Sequence, residues 1–334
     1  MRRILALAFI AVLALSGTAA VAQQYSFVVT GDGRSDEPPR PGMDADGINR
    51  TVMTELVAEI LRIKPRFVLF NGDLVHGYTT EPEFRTQLKA WVELMKPVYQ
   101  AGVHVYPIRG NHDVSSVNAD RVWNEVFAGP YALPGNGPVG EKNVTFTAAE
   151  ENALVVGVDE YGRHRHMVNL AWLREQLDRN TLPLVFVIGH EMAFRAGRHS
   201  DNLDNHETLR DGFVEALGKA GARVYFAGHD HFYDHQEITD PKGHPGVTID
   251  QFVVGTAGAP FYQGHDYAGD NGSWTVTLVK HIELMYGYVL GKVDGPRVSL
   301  FFMGRVAPGV YEALDTFAYQ AAAAAAAPAP AAGR

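Results

Sequence analysis

The chain of 334 residues reads as an α/β protein built on a sheet whose strands end along one edge. Three observations predict this. Short β-branched or aromatic runs alternate with amphipathic helical stretches, the first three runs at roughly 40-residue spacing; this is the pattern of right-handed βαβ units and a parallel sheet. Five of the runs end in a glycine followed by a polar side chain. Beyond residue 231 the helical period disappears and strand-like runs follow one another, which predicts an antiparallel addition forming a second sheet.

The elements follow in order. Residues 25–30 (YSFVVT) are an apolar run that stops at Gly31-Asp32, and a Pro- and Gly-rich loop covers 35–42. Asp46 is placed to cap a helix reaching about Ile63, with Ile48, Val52, Leu56 and Ile60 at helical spacing and Pro65 closing it. Residues 67–70 (FVLF) end at Asn71-Gly72-Asp73. Thr80 caps the next helix, whose first turn tolerates Pro82 and whose buried stripe is Phe84, Leu88, Trp91, Val92 and Met95. Residues 104–109 (HVYPIR) lead into Gly110-Asn111-His112-Asp113. The stretch 114–150 is irregular and rich in Gly and Pro. A run at 153–158 ends at Asp159, Asn169 caps a helix carrying Leu170, Leu173 and Leu177, and 184–188 ends at Gly189-His190. A polar loop through Arg198, His199 and Asn205 leads to a helix around Leu209, Phe213 and Leu217, stopped by Gly221. Residues 223–227 end at Gly228-His229-Asp230-His231, after which strands are predicted at 248–254, 274–279, 284–290 and 298–303.

The ends of the chain read differently from its middle. Met1-Arg2-Arg3, an apolar stretch over 4–15 and Ala20-Val21-Ala22 match a secretory leader cleaved before Gln23. The stretch is too short to span a bilayer comfortably, so no stable membrane anchor is expected after cleavage. The predicted organisation is a leader over 1–22, one domain over 23–318, and a disordered Ala/Pro-rich tail over 319–334. A leader implies a periplasmic or secreted protein, yet cysteine is absent. Stability must then come from the core and any bound metal, and zinc–thiolate sites and cysteine nucleophiles are excluded. The formal charge of −9 becomes −11 when Arg2 and Arg3 leave with the leader. With no Lys/Arg cluster, a nucleic-acid-binding surface is disfavoured. An anionic substrate would need local positive charge to offset this field.

In an open α/β sheet, ligands bind at the carboxyl ends of the strands. The chain therefore delivers Asp32, Asp73, Asn111, His190, His229 and His231 to one edge, with glycine expected to let the backbone turn sharply before each group. Two carboxylates, an amide oxygen and three imidazoles suit Fe, Mn, Zn or Co, and are too nitrogen-rich for Mg or Ca. Six donors exceed the need of one tetrahedral ion, so two ions sharing a carboxylate are expected, the usual arrangement for hydrolysing phosphate esters.

These five motifs resemble the calcineurin-like metallophosphoesterase family, which includes purple acid phosphatases and bacterial phosphodiesterases and whose pattern is D-x-H, G-D, G-N-H-D/E, a lone His, then G-H-x-H. The resemblance covers about residues 25–235, and strands to about 303 fit the family's second sheet. It implies a four-layer αββα sandwich with two mixed sheets flanked by helices. It implies a dinuclear centre in which Asp73 bridges two transition-metal ions, Asn111, His190 and His229 complete one site, and Asp32 and His231 serve the other. It also implies attack on phosphorus by a metal-bound hydroxide, with His112 stabilising the transition state or protonating the leaving oxygen and Asp113 orienting His112. The substrate would be a small phosphorylated molecule, a phosphate mono- or diester.

One position departs from the pattern. The family places His two residues after the first Asp, or a Tyr three residues after it in purple acid phosphatases; this chain has Arg34 and Ser35. Arginine cannot ligate a metal, so the Asp32/His231 site is expected to lack one ligand, with His76 a possible replacement. Arg34 is expected instead to hold a phosphate oxygen in bidentate fashion. Two functions follow: a hydrolase, supported by His112 and Asp113, which metal binding alone does not need, or a non-hydrolytic relative binding a phosphorylated ligand through one metal. Elsewhere, Glu191 is a candidate supporting partner of the site, while His164, His166, His199 and His206 read as loop residues.

Overall fold

The computed structural model describes residues 23–35, 46–162, 165–240, 242–265, 272 and 274–321; the expected leader and all but the first three residues of the expected tail lie outside them. Among the described residues, thirteen strands make two sheets. The first contains β1 (Gln24–Thr30), β2 (Phe67–Phe70) and β3 (His104–Pro107), which are mutually parallel. To these are added β11 (Gly287–Asp294), β12 (Arg297–Ala307) and β13 (Val310–Gln320), an antiparallel meander joined through β11 to β1. The second sheet has a parallel centre of β5 (Ala153–Gly157), β6 (Leu184–Ile188), β7 (Val224–Ala227) and β9 (Thr248–Val254). Antiparallel β4 (Phe146–Glu150), β8 (Tyr233–Thr239) and β10 (Thr275–Ile282) complete it. The helices are α1 (Arg50–Ile63), α2 (Glu81–Gln100), α3 (Ala119–Val126), α4 (Leu170–Arg179) and α5 (Glu207–Lys219).

The layers follow from strand alternation. Phe27 and Phe67 stack side by side at 5.1 Å on one face of the first sheet and meet Phe186 of the second, 4.6 Å from Phe27. Phe70, on the opposite face from Phe67, packs edge-on against Trp91 of α2 at 5.2 Å. In the second sheet Phe186 and Phe226 join the core between the sheets, while Val185, Val187 and Tyr225 turn outward to Leu173 of α4 and Phe213 and Leu217 of α5. Helix, sheet, sheet and helix are thus stacked in that order, the αββα sandwich.

Several boundaries differ from the sequence expectation. The antiparallel end of the chain does not build a sheet of its own: β8, β9 and β10 complete the second sheet and β11–β13 extend the first. Helix α1 begins at Arg50, capped by Asn49, whose side-chain oxygen accepts from Val52 N–H at 3.3 Å. Asp46 lies too early to cap it because Ile48 is drawn into a β-bridge with Arg34. The cap of α2 is as expected, with the Glu83 carboxylate accepting from the Thr80 N–H and hydroxyl at 3.3 and 2.9 Å. The irregular stretch holds α3 and β4, and β13 runs to Gln320, taking in the first two residues of the expected tail.

Candidate metal centre

The carboxyl ends of β1, β2, β3, β6 and β7 meet at one edge, where the two sheets come together. The sharp turns fall on the functional residues themselves: Asp32, Asp73 and His229 have φ of 59°, 51° and 72°. A left-handed non-glycine residue costs on the order of 1 kcal/mol or more, and such strain gathers at functional sites. Among the five strand-end glycines only Gly72 has a positive φ, so a turning role for the other four is not what the backbone shows. They are needed for close approach. A Cβ at Gly110 would stand 2.1 Å from Asp73 Oδ1, and one at Gly228 would stand 2.4 Å from Asp32 Oδ2.

Asp73, Asn111, His190 and His229 form one half of the centre. The Asn111 amide oxygen lies 3.1 Å from His190 Nε2 and 3.1 Å from His229 Nδ1, and Asp73 Oδ1 is 3.5 Å from His190 Nε2. The opposite nitrogen of each ring is committed. His190 Nδ1 donates to the Asn71 carbonyl at 2.8 Å, and His229 Nε2 to the Asp201 carbonyl at 3.1 Å. A carbonyl only accepts, so His190 Nε2 and His229 Nδ1 carry lone pairs. An amide oxygen, a carboxylate oxygen and two imidazole lone pairs therefore face one another, an arrangement that a cation reconciles. These residues fit a transition-metal ion.

Asp32, Asp73 and His231 form the other half, their candidate ligand atoms lying within 4.8 Å of one another. His231 Nδ1 donates to the Pro260 carbonyl at 2.6 Å, leaving Nε2 as an acceptor 3.5 Å from Asp32 Oδ1. Asp32 Oδ1 is buried and has no hydrogen-bond partner among the described residues. Arg34 closes this half. It is 5% exposed, with Nε 3.6 Å from Asp73 Oδ2 and Nη2 3.5 Å from the Tyr262 hydroxyl. The Tyr262 ring in turn stacks on His231 at 4.0 Å. The bridge to Ile48 fixes the Arg34 backbone, with Ser35 N–H donating to Gly47 at 3.1 Å and Asn49 N–H to Gly33 at 3.0 Å.

Electrostatics point the same way except at His229, where burial opposes the charge but the bond to Asp201 prevails and raises the imidazole above 6.5. Burial, and then the charge of Asp73, push the Asp32 carboxyl well above its ordinary 3.8. Burial also disfavours ionisation of Asp73, but His112, His190 and Arg34 around it outweigh that and hold it low. Burial pushes His190 down to about 4 and lowers His231 as well, keeping both rings neutral as ligands must be.

His112 Nε2 is 3.8 Å from Asp73 Oδ2, and its Nδ1 donates to the His76 carbonyl at 2.5 Å. The expected orienting role of Asp113 is therefore filled by a backbone carbonyl. The Asp113 carboxylate instead accepts from Gly110 N–H at 2.9 Å and Leu74 N–H at 3.2 Å, pinning the turn after β3 to the one after β2. His76 does not join the Asp32–Asp73–His231 group; its ring lies beside His112 with centroids 5.7 Å apart. His112 also meets Tyr78 edge-on at 4.8 Å, a residue that is 59% exposed.

Sequence reasoning passed over several supporting residues. Asn71, in the same tripeptide as Asp73, fixes His190 and donates through its amide to the Ala227 carbonyl of β7. His199 stacks on His229 at 3.9 Å and bonds the Asp230 carboxylate at 2.9 Å, while Asp201 Oδ1 lies 3.5 Å from His229 Nε2. Glu160 accepts from the His190 N–H at 3.0 Å, and Glu191 is paired with His166 at 2.8 Å. Asn71 had a sequence signal in its place next to Gly72-Asp73, and Glu191, beside His190, is the one supporting partner the sequence names; the others sit in loops without a readable pattern. His206 ends a short turn before α5, and His164 lies outside the described residues.

Three comparisons bear on this site. The calcineurin-like phosphoesterase family model matches residues 46–233, more than half of the chain. A purple acid phosphatase from yellow lupin (Lupinus luteus) seeds has a similar structure, with a TM-score of 0.63 at 14% identity over 90% of this chain. The chain spans only 54% of that protein's length. A dimetal phosphatase from Danio rerio gives 0.55 at 12% identity, covering 89% of this chain and 99% of the other. GAP50, the anchor in the inner membrane complex of Plasmodium, gives 0.56 at 14% identity with 90% of both chains covered. At these identities the likeness is one of fold. No curated protein matches the chain.

Proposed function

The chain belongs to the calcineurin-like phosphoesterase family, and from that premise we propose that it is an exported, metal-dependent phosphoric ester hydrolase acting on small phosphate mono- or diesters. The observation that carries the reading is the Asn111 amide oxygen held between the lone pairs of His190 and His229 beside Asp73, with the His112 imidazole 3.8 Å from the same carboxylate. Asp73, Asn111, His190 and His229 would hold an ion of the Fe, Mn, Zn or Co type. Asp32 and His231, sharing Asp73, form the neighbouring half where the sequence pattern places a second. When bound, the metal supplies Lewis-acid charge to the phosphoryl group and activates water at neutral pH.

The remaining work falls to side chains of this protein. Arg34 offers a buried guanidinium whose Nε lacks a hydrogen-bond partner among the described residues, suited to a phosphate oxygen. Together with Arg198, whose guanidinium lies 5.0 Å over the Tyr262 ring, it supplies local positive charge in a chain of net charge −9. Because His112 Nδ1 is committed to the His76 carbonyl, Nε2 is the nitrogen available to share a proton with the leaving oxygen. Asp113 and Asn71 hold the turns that carry these groups.

Reading residues 1–22 as a cleavable leader extends the proposal to the periplasm or the extracellular space, with no membrane anchor left after cleavage and no nucleic-acid partner. Among the described residues no helix is long and apolar enough to cross a membrane. The test is hydrolysis of mono- and bis-nitrophenyl phosphate by metal-loaded protein, alongside Asp73→Asn. Turnover that depends on Asp73 is expected. No turnover of either ester, with inorganic phosphate still bound, would favour the non-hydrolytic reading that Arg34 suggests.

A further inference from the structure

The two halves of the centre are not equivalent. The first draws one donor from each of four strand ends: Asp73 after β2, Asn111 after β3, His190 after β6 and His229 after β7. The second has Asp32, His231 and a share of Asp73, with no further His, Asp or Glu joining them among the described residues. Where another donor would complete it, the chain has a guanidinium, which has no lone pair to give. Building on the reading of this site as a metal centre, we infer that the protein holds a single metal ion, in the Asp73–Asn111–His190–His229 half, and that the Arg34 guanidinium is the fixed second cation in the Asp32–His231 half.

Four observations carry this. Arg34 does not swing out to solvent; it is 5% exposed and its Nε faces Asp73. The two oxygens of Asp73 divide between the halves, Oδ1 lying 3.5 Å from His190 Nε2 and Oδ2 lying 3.6 Å from Arg34 Nε. The arginine is held in place, its backbone by the bridge to Ile48 and its Nη2 by the Tyr262 hydroxyl. Finally, a dication added beside a buried guanidinium would meet like-charge repulsion that water cannot screen. His76, the replacement ligand expected from the sequence, lies against His112 instead. The phosphate of a substrate would then be held between one metal ion and one arginine, and the second positive charge would be present at any metal concentration.

The experiment is metal stoichiometry, measured on the full chain by calorimetric titration with Mn²⁺ or Zn²⁺ and by elemental analysis after gel filtration. The wild-type protein is expected to hold one ion per chain and to give the EPR spectrum of an isolated Mn²⁺ rather than an exchange-coupled pair. Arg34→His, which replaces the charge by an imidazole, is expected to raise the stoichiometry to two. His231→Ala is expected to leave it at one, a result that does not depend on whether Arg34→His folds. Two tightly held ions in the wild type, or a drop from two to one in His231→Ala, would overturn the inference while leaving the hydrolase reading intact. A folded Arg34→His that still holds one ion would overturn the blocking role of the guanidinium. No ion at all in the wild type would instead overturn the metal-centre reading itself.

Discussion

Replacing Asp159 by alanine would strand a cation inside the protein, close to the centre. Arg109 follows β3 and is 2% exposed; its Nε and Nη2 donate to the two oxygens of Asp159 at 2.8 and 2.7 Å. Asp159 follows β5, so the pair ties the first sheet to the second one residue before the turn that carries Asn111 and His112. Removing one partner of a buried ion pair costs about 3–5 kcal/mol, because the other charge is left uncompensated. Part of this is recovered here, since Arg109 also bonds Asp120 of α3, whose side chain is 81% exposed; an exposed partner of that kind offsets up to about 1 kcal/mol. The expected net loss is about 2–4 kcal/mol, or roughly 4–8 °C in Tm at about 2 °C per kcal/mol for a large domain. Urea unfolding followed by tryptophan fluorescence, with metal held constant, measures it. The double variant Arg109→Met/Asp159→Leu, which removes both charges, is expected to recover most of the loss. A loss below about 1 kcal/mol in Asp159→Ala, or a double variant as unstable as the single one, would refute the reasoning.

Gly110→Ala is expected to lower metal affinity at least about tenfold by calorimetry, because the new Cβ would meet Asp73 Oδ1 at 2.1 Å and His190 Cε1 at 2.7 Å. Adding metal to 100 times its Kd is expected to stabilise the protein by about 2.7 kcal/mol, and chelation to remove that gain in a thermal melt. His281 contributes a pH dependence away from the centre. Burial opposes its charge, but bonds to Asp234 at 2.8 Å and Glu283 at 3.1 Å prevail and raise its pKa above 6.5. A raised histidine gives stability that is fully present below the unfolded pKa and is lost as pH rises through the folded one. Stability should therefore fall as pH rises above 6.5, by about 1 kcal/mol for a half-buried histidine, and the slope should flatten in His281→Gln.

The strands whose ends make the centre were legible because each is a short apolar run closed by glycine and a polar group. Strand β8 was not. Its sequence, YDHQEIT, carries Asp234, His235 and Gln236 fully buried, and they are stabilised by partners far along the chain, such as Asp250 for His235 at 2.7 Å. No local pattern announces a buried polar strand whose partners come from elsewhere. The centre divides in the same way. Asp32, Asp73, Asn111, His190, His229 and His231 come together at one edge, since strand ends are set by strand positions. Which atom each ring turns inward depends on carbonyls of Asn71, Pro260, His76 and Asp201, and backbone carbonyls carry no side-chain signature. For the same reason the partner of His112 is a carbonyl, that of His76, where the family resemblance points to Asp113. Arg34 was visible as a departure, but its inward direction is fixed by a bridge to Ile48 that spans a loop of irregular sequence.

The aromatic filling between the sheets has a consequence at the far edge of the molecule. Asp32, Asp73 and Asn111 hang from the first sheet, and His190, His229 and His231 from the second. The span between these two groups of donors is therefore the gap between two slabs, and the thickness of that gap is set by Phe27, Phe67, Phe186 and Phe226. Those rings act as shims. Trimming one of them, with no change near the metal ligands, would alter how far apart the jaws stand, and so which ionic radius they grip best.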